Sequence, residues 1–158
     1  MEETRRHGRL RGLLRVTESR TWDDPMFSHI HVGIADFARS YGFYRAVLRE
    51  LEIEVKIYRP DQSWAGWGAA GTDRPLFFIG LPFDRNPTSS GNGNMTAFLA
   101  PTRKAVDRCH AAAITNGGRC DGAPGLRPQY HVHYYGAYFR DPDGNKICVC
   151  CHDPSEAT

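Results

Sequence analysis

The pattern of apolar and polar positions from residue 27 onward predicts a strand, a helix and three further strands. Residues 27–35 are rich in Ile, Val and Phe, which are typical of a strand. Asp36 is a good helix N-cap, and apolar side chains follow it three or four positions apart as far as about Glu50. Alternation and short apolar runs then predict strands at residues 52–59, 64–70 and 75–81. This part of the chain therefore forms one β-α-β-β-β unit.

A second set of elements begins after a polar linker rich in turn formers, at residues 84–92. Residues 94–100 predict a strand, and Thr102 caps a helix that runs to about Asn116. A glycine- and proline-rich stretch follows, and the next strand begins at about Tyr134. The order of elements is that of the first unit.

The spacing of equivalent positions supports an internal duplication. His29 lies seven residues before its helix cap Asp36, as Met95 does before Thr102, which gives a period of about 66 residues. We therefore predict an α+β fold of two βαβββ modules within one domain at residues 26–153. The first module spans about 26–83 and the second about 93–153.

The sequence predicts a β-hairpin at the end of the second module. Residues 141–145 are Asp-Pro-Asp-Gly-Asn, in which proline presets φ for a turn and Gly144 supplies a positive φ. The alternating strand that follows has Lys146, Cys148, Cys150 and His152 on one face. A structural zinc site is disfavoured here because Cys150 and Cys151 point to opposite faces and no Cys-x-x-Cys pair accompanies them.

Composition narrows the class of protein. The 158 residues are 41% hydrophobic and 24% charged, as expected for a soluble domain, and no apolar run approaches the length of a membrane helix. The formal net charge is only +2, so nucleic acid is a poor partner. The five cysteines are odd in number and follow no signal peptide, which indicates reduced thiols in a cytoplasmic protein.

Residues 1–25 predict a disordered extension rather than a targeting segment. They contain six arginines, which would suit a transit peptide, but also five acidic residues, which would not. The fold is therefore expected to open at Met26.

In order and spacing, these motifs resemble the vicinal oxygen chelate superfamily, which includes glyoxalases, bleomycin-resistance proteins and extradiol dioxygenases. The resemblance covers about residues 26–152. The matching segments are Phe27-Ser28-His29, Asp36 with Phe43-Tyr44, residues 93–98, residues 122–128 and residues 141–145. It implies two modules whose strands curl into an open barrel around a small-molecule site, often in a homodimer.

The resemblance also implies where a divalent metal would be held. Its usual ligands, a His, a second His and a Glu, fall on His29, Met95 and Cys148. Only His29 matches, and a thioether is a feeble donor to hard ions, so the ligand set is incomplete. The set could suit a soft ion such as Cu(I), or Zn²⁺ if a further imidazole joined from His31, His131 or His133.

Other side chains predict a site without the metal. His29, His131 and Tyr135 are the candidate catalytic acid-base groups. The candidate ligand-binding residues are His31, Trp64, Met95, Arg127, His133 and Cys148. Arg127 could clamp a carboxylate or phosphate, and Trp64 is expected on the opposite strand face from Trp67. Cys148 could pair with His29 as a nucleophile, although an inert buried thiol is the favoured interpretation.

Two functions follow from these patterns. The first is a glyoxalase-like enzyme with lyase or isomerase-type chemistry on a small polar or aromatic metabolite. The second is a non-catalytic protein that sequesters a small molecule, as bleomycin-resistance proteins do. Loss of the metal ligands favours the second function, whereas the loop from Arg127 to Tyr135, with its histidines and tyrosines, favours the first.

Overall fold

The computed structural model describes residues 25–156. The first module consists of β1 (His29–Gly33), α1 (Phe37–Arg49), β2 (Ile53–Arg59), β3 (Trp64–Ala69) and β4 (Leu76–Gly80). The second consists of β5 (Thr96–Leu99), α2 (Arg103–Thr115), β6 (Arg119–Leu126), β7 (Tyr135–Arg140) and β8 (Lys146–Cys151). Short 3-10 turns lie at Pro60–Gln62 and Pro154–Glu156. The predicted extension lies outside the described residues, apart from Pro25.

The predicted duplication is confirmed by the sheet topology. The first sheet has the strand order β1-β4-β3-β2 and the second has the equivalent order β5-β8-β7-β6. In each sheet the first and last strands of the module pair in parallel, and the other pairs are antiparallel. The two sheets do not close into a barrel.

One strand was not predicted as such. The glycine- and proline-rich residues after Gly117 form β6, which pairs with β7 through irregularities near Gly122 and Gly125. Glycine and proline are depleted in regular strands, but bulges tolerate them. The irregular pairing therefore explains why the local composition indicated a loop.

Both helices begin at the predicted caps. The carboxylate of Asp36 accepts from the backbone N–H of Arg39 at 2.8 Å, and the Thr102 hydroxyl accepts from that of Ala105 at 3.0 Å. The helices pack on one face of the sheets and enclose a continuous core. Its largest fully buried side chains include Trp67, Tyr44, Phe43, Phe139 and Ile34. In the described part of the chain, neither helix is both long and apolar enough to span a bilayer.

The Asp-Pro-Asp-Gly-Asn turn between β7 and β8 fastens the second module to the first. Asp143 binds the start of α1, and the amide of Asn145 donates to the Gly33 carbonyl at 3.0 Å. The Tyr44 hydroxyl donates to the buried carboxylate of Asp141 at 2.6 Å. The turn therefore fixes the position of β8 relative to β1, two of the strands that carry candidate site residues.

Candidate functional site

The face of the first sheet opposite the helices carries an aromatic and imidazole cluster. The indole of Trp64 stacks on Phe78 with ring centroids 4.9 Å apart and an interplanar angle of 14°. The ring of His29 meets the same Phe78 edge-on at 5.7 Å. Trp64 and Trp67 lie on opposite faces as predicted, because Trp67 is buried in the core at 1% exposure.

His31 lies beside this cluster, over Gly80. A Cβ on Gly80 would approach His31 Nε2 to 3.0 Å and Trp64 Cδ1 to 3.1 Å, so the glycine leaves room for both rings. Burial lowers the pKa of His31, and the nearby charge of protonated His29 lowers it further. The His31 imidazole is therefore neutral near pH 7.

The equivalent face of the second sheet carries cations around an aromatic ring. Arg127 lies over the Tyr138 ring at 5.7 Å and Lys146 at 5.4 Å, both within cation–π range. Asp121 accepts from Arg140 at 3.0 Å and pairs with Lys146 at 3.3 Å. The cations outnumber this one carboxylate, so the recess suits an anion.

Three recesses with shared lining residues lie along these two faces. The recess beside Trp64 has a volume of about 980 Å³, and the recess beside Arg127 and Tyr138 has about 580 Å³. A recess of about 300 Å³ lies between them and shares His31 with the first and Met95 with the second. Other shared lining residues are Gly33, Ser89, Asn94 and Lys146. We refer to the three recesses together as the groove.

The groove brings together four of the predicted ligand-binding residues. They are His31, Trp64, Met95 and Arg127. Arg127 also donates to the carbonyls of Ala123 and Leu126 at 2.7 and 3.1 Å, which fixes its guanidinium and leaves other N–H donors for a ligand.

The remaining predicted residues of the second module lie elsewhere. Tyr135 is on the helix-facing side of β7, where its hydroxyl donates to Asp107 at 2.8 Å. Cys148 is fully buried, and its sulfur lies 3.4 Å from the Tyr134 hydroxyl. His133 is half-buried, and its backbone N–H donates to His131 Nδ1 at 3.2 Å.

The residues at the implied metal positions do not fit the family's metal. The hydrogen bond with Cys150 and burial raise the pKa of Cys148, so its sulfur is a protonated thiol rather than an anionic ligand. Met95 offers only a thioether, so His29 supplies the one imidazole among the three implied positions. Within residues 25–156, no three His, Cys, Asp or Glu side chains converge as ligands for a metal ion.

Sequence reasoning missed a chain of polar contacts beside Cys148. His131 Nε2 lies 2.7 Å from His152 Nδ1, and His152 Nε2 lies 3.5 Å from the sulfur of Cys150. The alternation of β8 placed Cys148, Cys150 and His152 on one face. The alternation could not show that His131, which lies 21 positions before His152, contacts the His152 ring.

The topology defines an α+β protein of two βαβββ modules, and the groove is lined by residues of both modules. A family model described as the Glyoxalase/Bleomycin resistance protein/Dioxygenase superfamily matches residues 26–149. The chain belongs to this superfamily.

Solved structures agree with this assignment. The chain is 37% identical to a glyoxalase/bleomycin resistance protein from Albidiferax ferrireducens T118, with a TM-score of 0.71 over 82% of this chain and 100% of that chain. Glyoxalase I from Zea mays is 23% identical, with a TM-score of 0.61 over 79% of this chain and 45% of that chain, and shares the fold. A comparison with curated proteins finds no match.

Proposed function

We propose that the protein binds a small anionic, partly aromatic molecule in the groove and acts on it by lyase or isomerase-type chemistry without the family's metal. The observation that supports this proposal is that the recess with the aromatic Trp64 and the recess with the cationic Arg127 each share lining residues with the recess that adjoins both. Concave sites with a few convergent polar groups are typical of small-molecule recognition.

The two ends of the groove favour different parts of one ligand. Trp64 is held in place by its stack on Phe78 and presents an aromatic surface. Arg127 and Lys146 would bind a carboxylate or phosphate, and Arg127 has the planar fork that binds either group through two hydrogen bonds. A ligand that carries both an aromatic and an anionic group would satisfy both ends.

Proton transfer would come from groups that line the groove or lie near it. His31 lies in the groove between the two ends, where its ring nitrogens can exchange a proton with a bound ligand. His29 is its neighbour on the same strand face and remains a predicted acid-base group. Tyr135 has no place in this proposal because Asp107 holds its hydroxyl on the other side of the sheet.

The binding step is tested by calorimetry with matched aromatic carboxylates and their uncharged amides. Replacing Arg127 with Gln should weaken carboxylate binding by about ten- to a hundredfold, in line with a lost charge-assisted hydrogen bond of about 1.5–3 kcal/mol. The amides should lose much less. Arg119→Gln, an equally conservative change of an exposed arginine at the start of β6, is the matched control. Equal affinity for carboxylates and amides in the wild type would contradict the proposal.

A second candidate function is binding without catalysis, of the bleomycin-resistance type. The burial of Cys148 beneath Tyr134 favours it, because the position implied for a ligating carboxylate holds a covered thiol. Turnover of a glutathione hemithioacetal or a catechol would exclude pure sequestration. Tight ligand binding with no turnover across metabolite mixtures would instead exclude the enzyme.

We also infer a homodimer. Large apolar side chains are exposed in the second module, including Leu99 at 71% and Val132 at 70%. Exposed apolar surface of this kind marks association sites when it is contiguous. Light scattering after gel filtration should give twice the chain mass, and Leu99→Ser should shift the protein toward monomer. A wild-type monomer at high concentration would contradict the inference.

A cytoplasmic location is proposed from the cysteines. All five are free thiols, which persist in reducing compartments. Thiol labelling of the protein in intact cells followed by fractionation tests this location. Recovery with oxidised cysteines from a secreted fraction would contradict it.

A further inference from the structure

The recess beside Arg127 and Tyr138 holds more positive charge than its acidic lining residue balances. Arg127, Arg140 and Lys146 line this recess, and Asp121 is the acidic residue among its described lining residues. Three cations and one carboxylate give these side chains a net charge of +2 at neutral pH. The adjoining recess of about 300 Å³ contributes no carboxylate among its described lining residues. This end of the groove therefore has two positive charges without a counter-charge.

The other end of the groove has the opposite charge balance. The recess beside Trp64 is lined by the carboxylates of Asp61 and Asp84 and by the guanidinium of Arg85. Two carboxylates beside one cation disfavour an anion, whereas the excess of cations at the far end attracts it. A ligand with one anionic group is therefore oriented with that group in the recess beside Arg127 and with its apolar part toward Trp64.

Shared partners hold the three cations close to one another. Arg140 Nε and Lys146 Nζ approach the same carboxylate oxygen of Asp121, at 3.0 and 3.3 Å. Lys146 and Arg127 both lie over the Tyr138 ring, at 5.4 and 5.7 Å from its centroid. Like charges so placed repel one another, and one carboxylate and one ring face offset only part of this repulsion. An anion with two negative charges would offset the remainder.

The loop before β5 adds backbone donors to this recess. Residues 92–94 line it, and Gly91 and Gly93 have φ values of +66° and +92°, in the left-handed region. Left-handed residues that interrupt ordinary backbone turn successive N–H groups toward one side, which forms a concavity that binds anions. In the part of the chain that the structure describes, the backbone N–H groups of residues 92–94 donate to no protein group. They are therefore available to the oxygens of a ligand.

We propose that this recess binds a dianionic phosphate monoester, held by the three cations and by the backbone of residues 92–94. The inference rests on the proposed function and narrows the anionic group of its ligand to a phosphate. A phosphate monoester carries a charge of about −2 above pH 7 and has three strong acceptor oxygens, so it matches both the charge of the recess and its many donors. A carboxylate or a sulfate ester carries one negative charge and leaves one positive charge of the recess without a counter-charge.

The test compares phenyl phosphate with phenyl sulfate by calorimetry at about pH 8 and low ionic strength, where the phosphate is a dianion. The two probes share the aromatic ring and the tetrahedral head and differ by one negative charge. Phenyl phosphate should bind roughly tenfold more tightly, because a further charge in a water-screened recess of this net charge gains about that factor. Lys146→Gln should reduce this preference to about threefold. Arg45→Gln is the matched control, because this exposed arginine of α1 lines none of the three recesses.

Asp121→Asn provides a test in the opposite direction. The substitution removes the carboxylate that competes for Arg140 and Lys146, so it should strengthen phenyl phosphate binding severalfold. A variant that merely failed to fold could not gain affinity.

A matched pair of glycine substitutions tests the backbone of the loop. Gly93→Ala puts a side chain on a left-handed residue that lines the recess, and Gly71→Ala does the same at a φ of +70°, in the turn before β4 and outside the groove. A Cβ at either position meets nothing within 4 Å, so the two changes cost similar backbone strain. Gly93→Ala should weaken phenyl phosphate binding by about three- to tenfold, as expected for one lost hydrogen bond, and Gly71→Ala should leave it unchanged.

The outcomes separate this inference from the proposed function. Equal affinities for phenyl phosphate and phenyl sulfate, both weakened by Arg127→Gln, would overturn the phosphate assignment and leave the proposed function standing. Binding of neither anion more tightly than uncharged phenol would overturn both. Equal effects of Lys146→Gln and Arg45→Gln, equal effects of the two glycine variants, or weaker phosphate binding in Asp121→Asn would each overturn the phosphate assignment.

Discussion

The contacts between Asp143 and the start of α1 hold the two modules together, and their contribution to stability can be predicted. The Asp143 side chain is 2% exposed and accepts three hydrogen bonds: from Arg39 at 2.7 Å, from the Ser40 hydroxyl at 2.8 Å and from the Ala35 backbone N–H at 3.2 Å. We expect Asp143→Ala to destabilise the protein more than the loss of a surface ion pair would.

The magnitude follows from which partners can turn to water. Arg39 is 49% exposed, so its guanidinium is resolvated and the lost ion pair costs at most about 1 kcal/mol. Ser40 is fully buried, and a stranded hydroxyl costs about 1–3 kcal/mol. Loss of the negative charge at the start of α1 adds about 0.3–1 kcal/mol. The free energy of unfolding should therefore fall by roughly 2–4 kcal/mol, which lowers Tm by about 5–15 °C for a domain of this size.

Urea unfolding followed by circular dichroism measures this loss. Asp84→Ala is the matched control, because that exposed carboxylate binds only Asn86 in the described structure and its removal should cost less than about 0.5 kcal/mol. Arg39→Ala should also cost less than about 1 kcal/mol. The reasoning is refuted if Asp143→Ala and Asp84→Ala unfold at the same urea concentration, or if Arg39→Ala accounts for the whole effect.

Three further outcomes follow from the structure. Burial, followed by the charge of Glu50, raises the pKa of Cys109 to about 12. The folded state therefore holds this proton more tightly than the unfolded chain. The free energy of unfolding should fall between about pH 9 and 12, by at most about 1.4 kcal/mol per pH unit. Urea unfolding at several pH values measures this slope, and Cys109→Ala should not show it. Gly66→Ala places a Cβ against the Phe78 ring, on which Trp64 stacks. The free energy of unfolding, measured by thermal unfolding, should fall by about 1–3 kcal/mol, and ligand binding in the groove should weaken. Dialysis against a chelator should leave ligand affinity unchanged. Mass spectrometry of the purified protein should find far less than one equivalent of metal. One equivalent of metal that is lost in His29→Ala would contradict this expectation.

The elements that depend on local chemistry could be predicted from the sequence. The caps Asp36 and Thr102 are both observed, and their common spacing from His29 and Met95 reflects the duplication seen in the two sheets. Capping and alternation are properties of a few adjacent residues, so a single sequence carries them. Strand β6 was missed because its bulges are formed only by pairing with β7, which the local composition does not encode.

The same distinction applies to the candidate site: local patterns predicted part of it, and the rest depends on tertiary contacts. Alternation was sufficient to place Trp64 and Trp67 on opposite faces, and to place Cys148 and Cys150 on one face of the last strand. It could not show that Tyr134 covers Cys148 or that His131 reaches His152, since both contacts depend on how a loop folds back over the sheet. The groove has the same limitation, because its recesses combine residues from both modules.

Strand β8 also shows why the metal implied by the family resemblance does not suit this chain. The resemblance implies a ligating carboxylate at the position of Cys148, but this side chain is buried, and the hydrogen bond with Cys150 together with burial raises its pKa, so it is a protonated thiol. A neutral thiol supplies neither the negative charge nor the oxygen donor that a hard divalent ion prefers. A metal at this face would therefore have to rely on other side chains, and the described residues bring no three candidate ligands together.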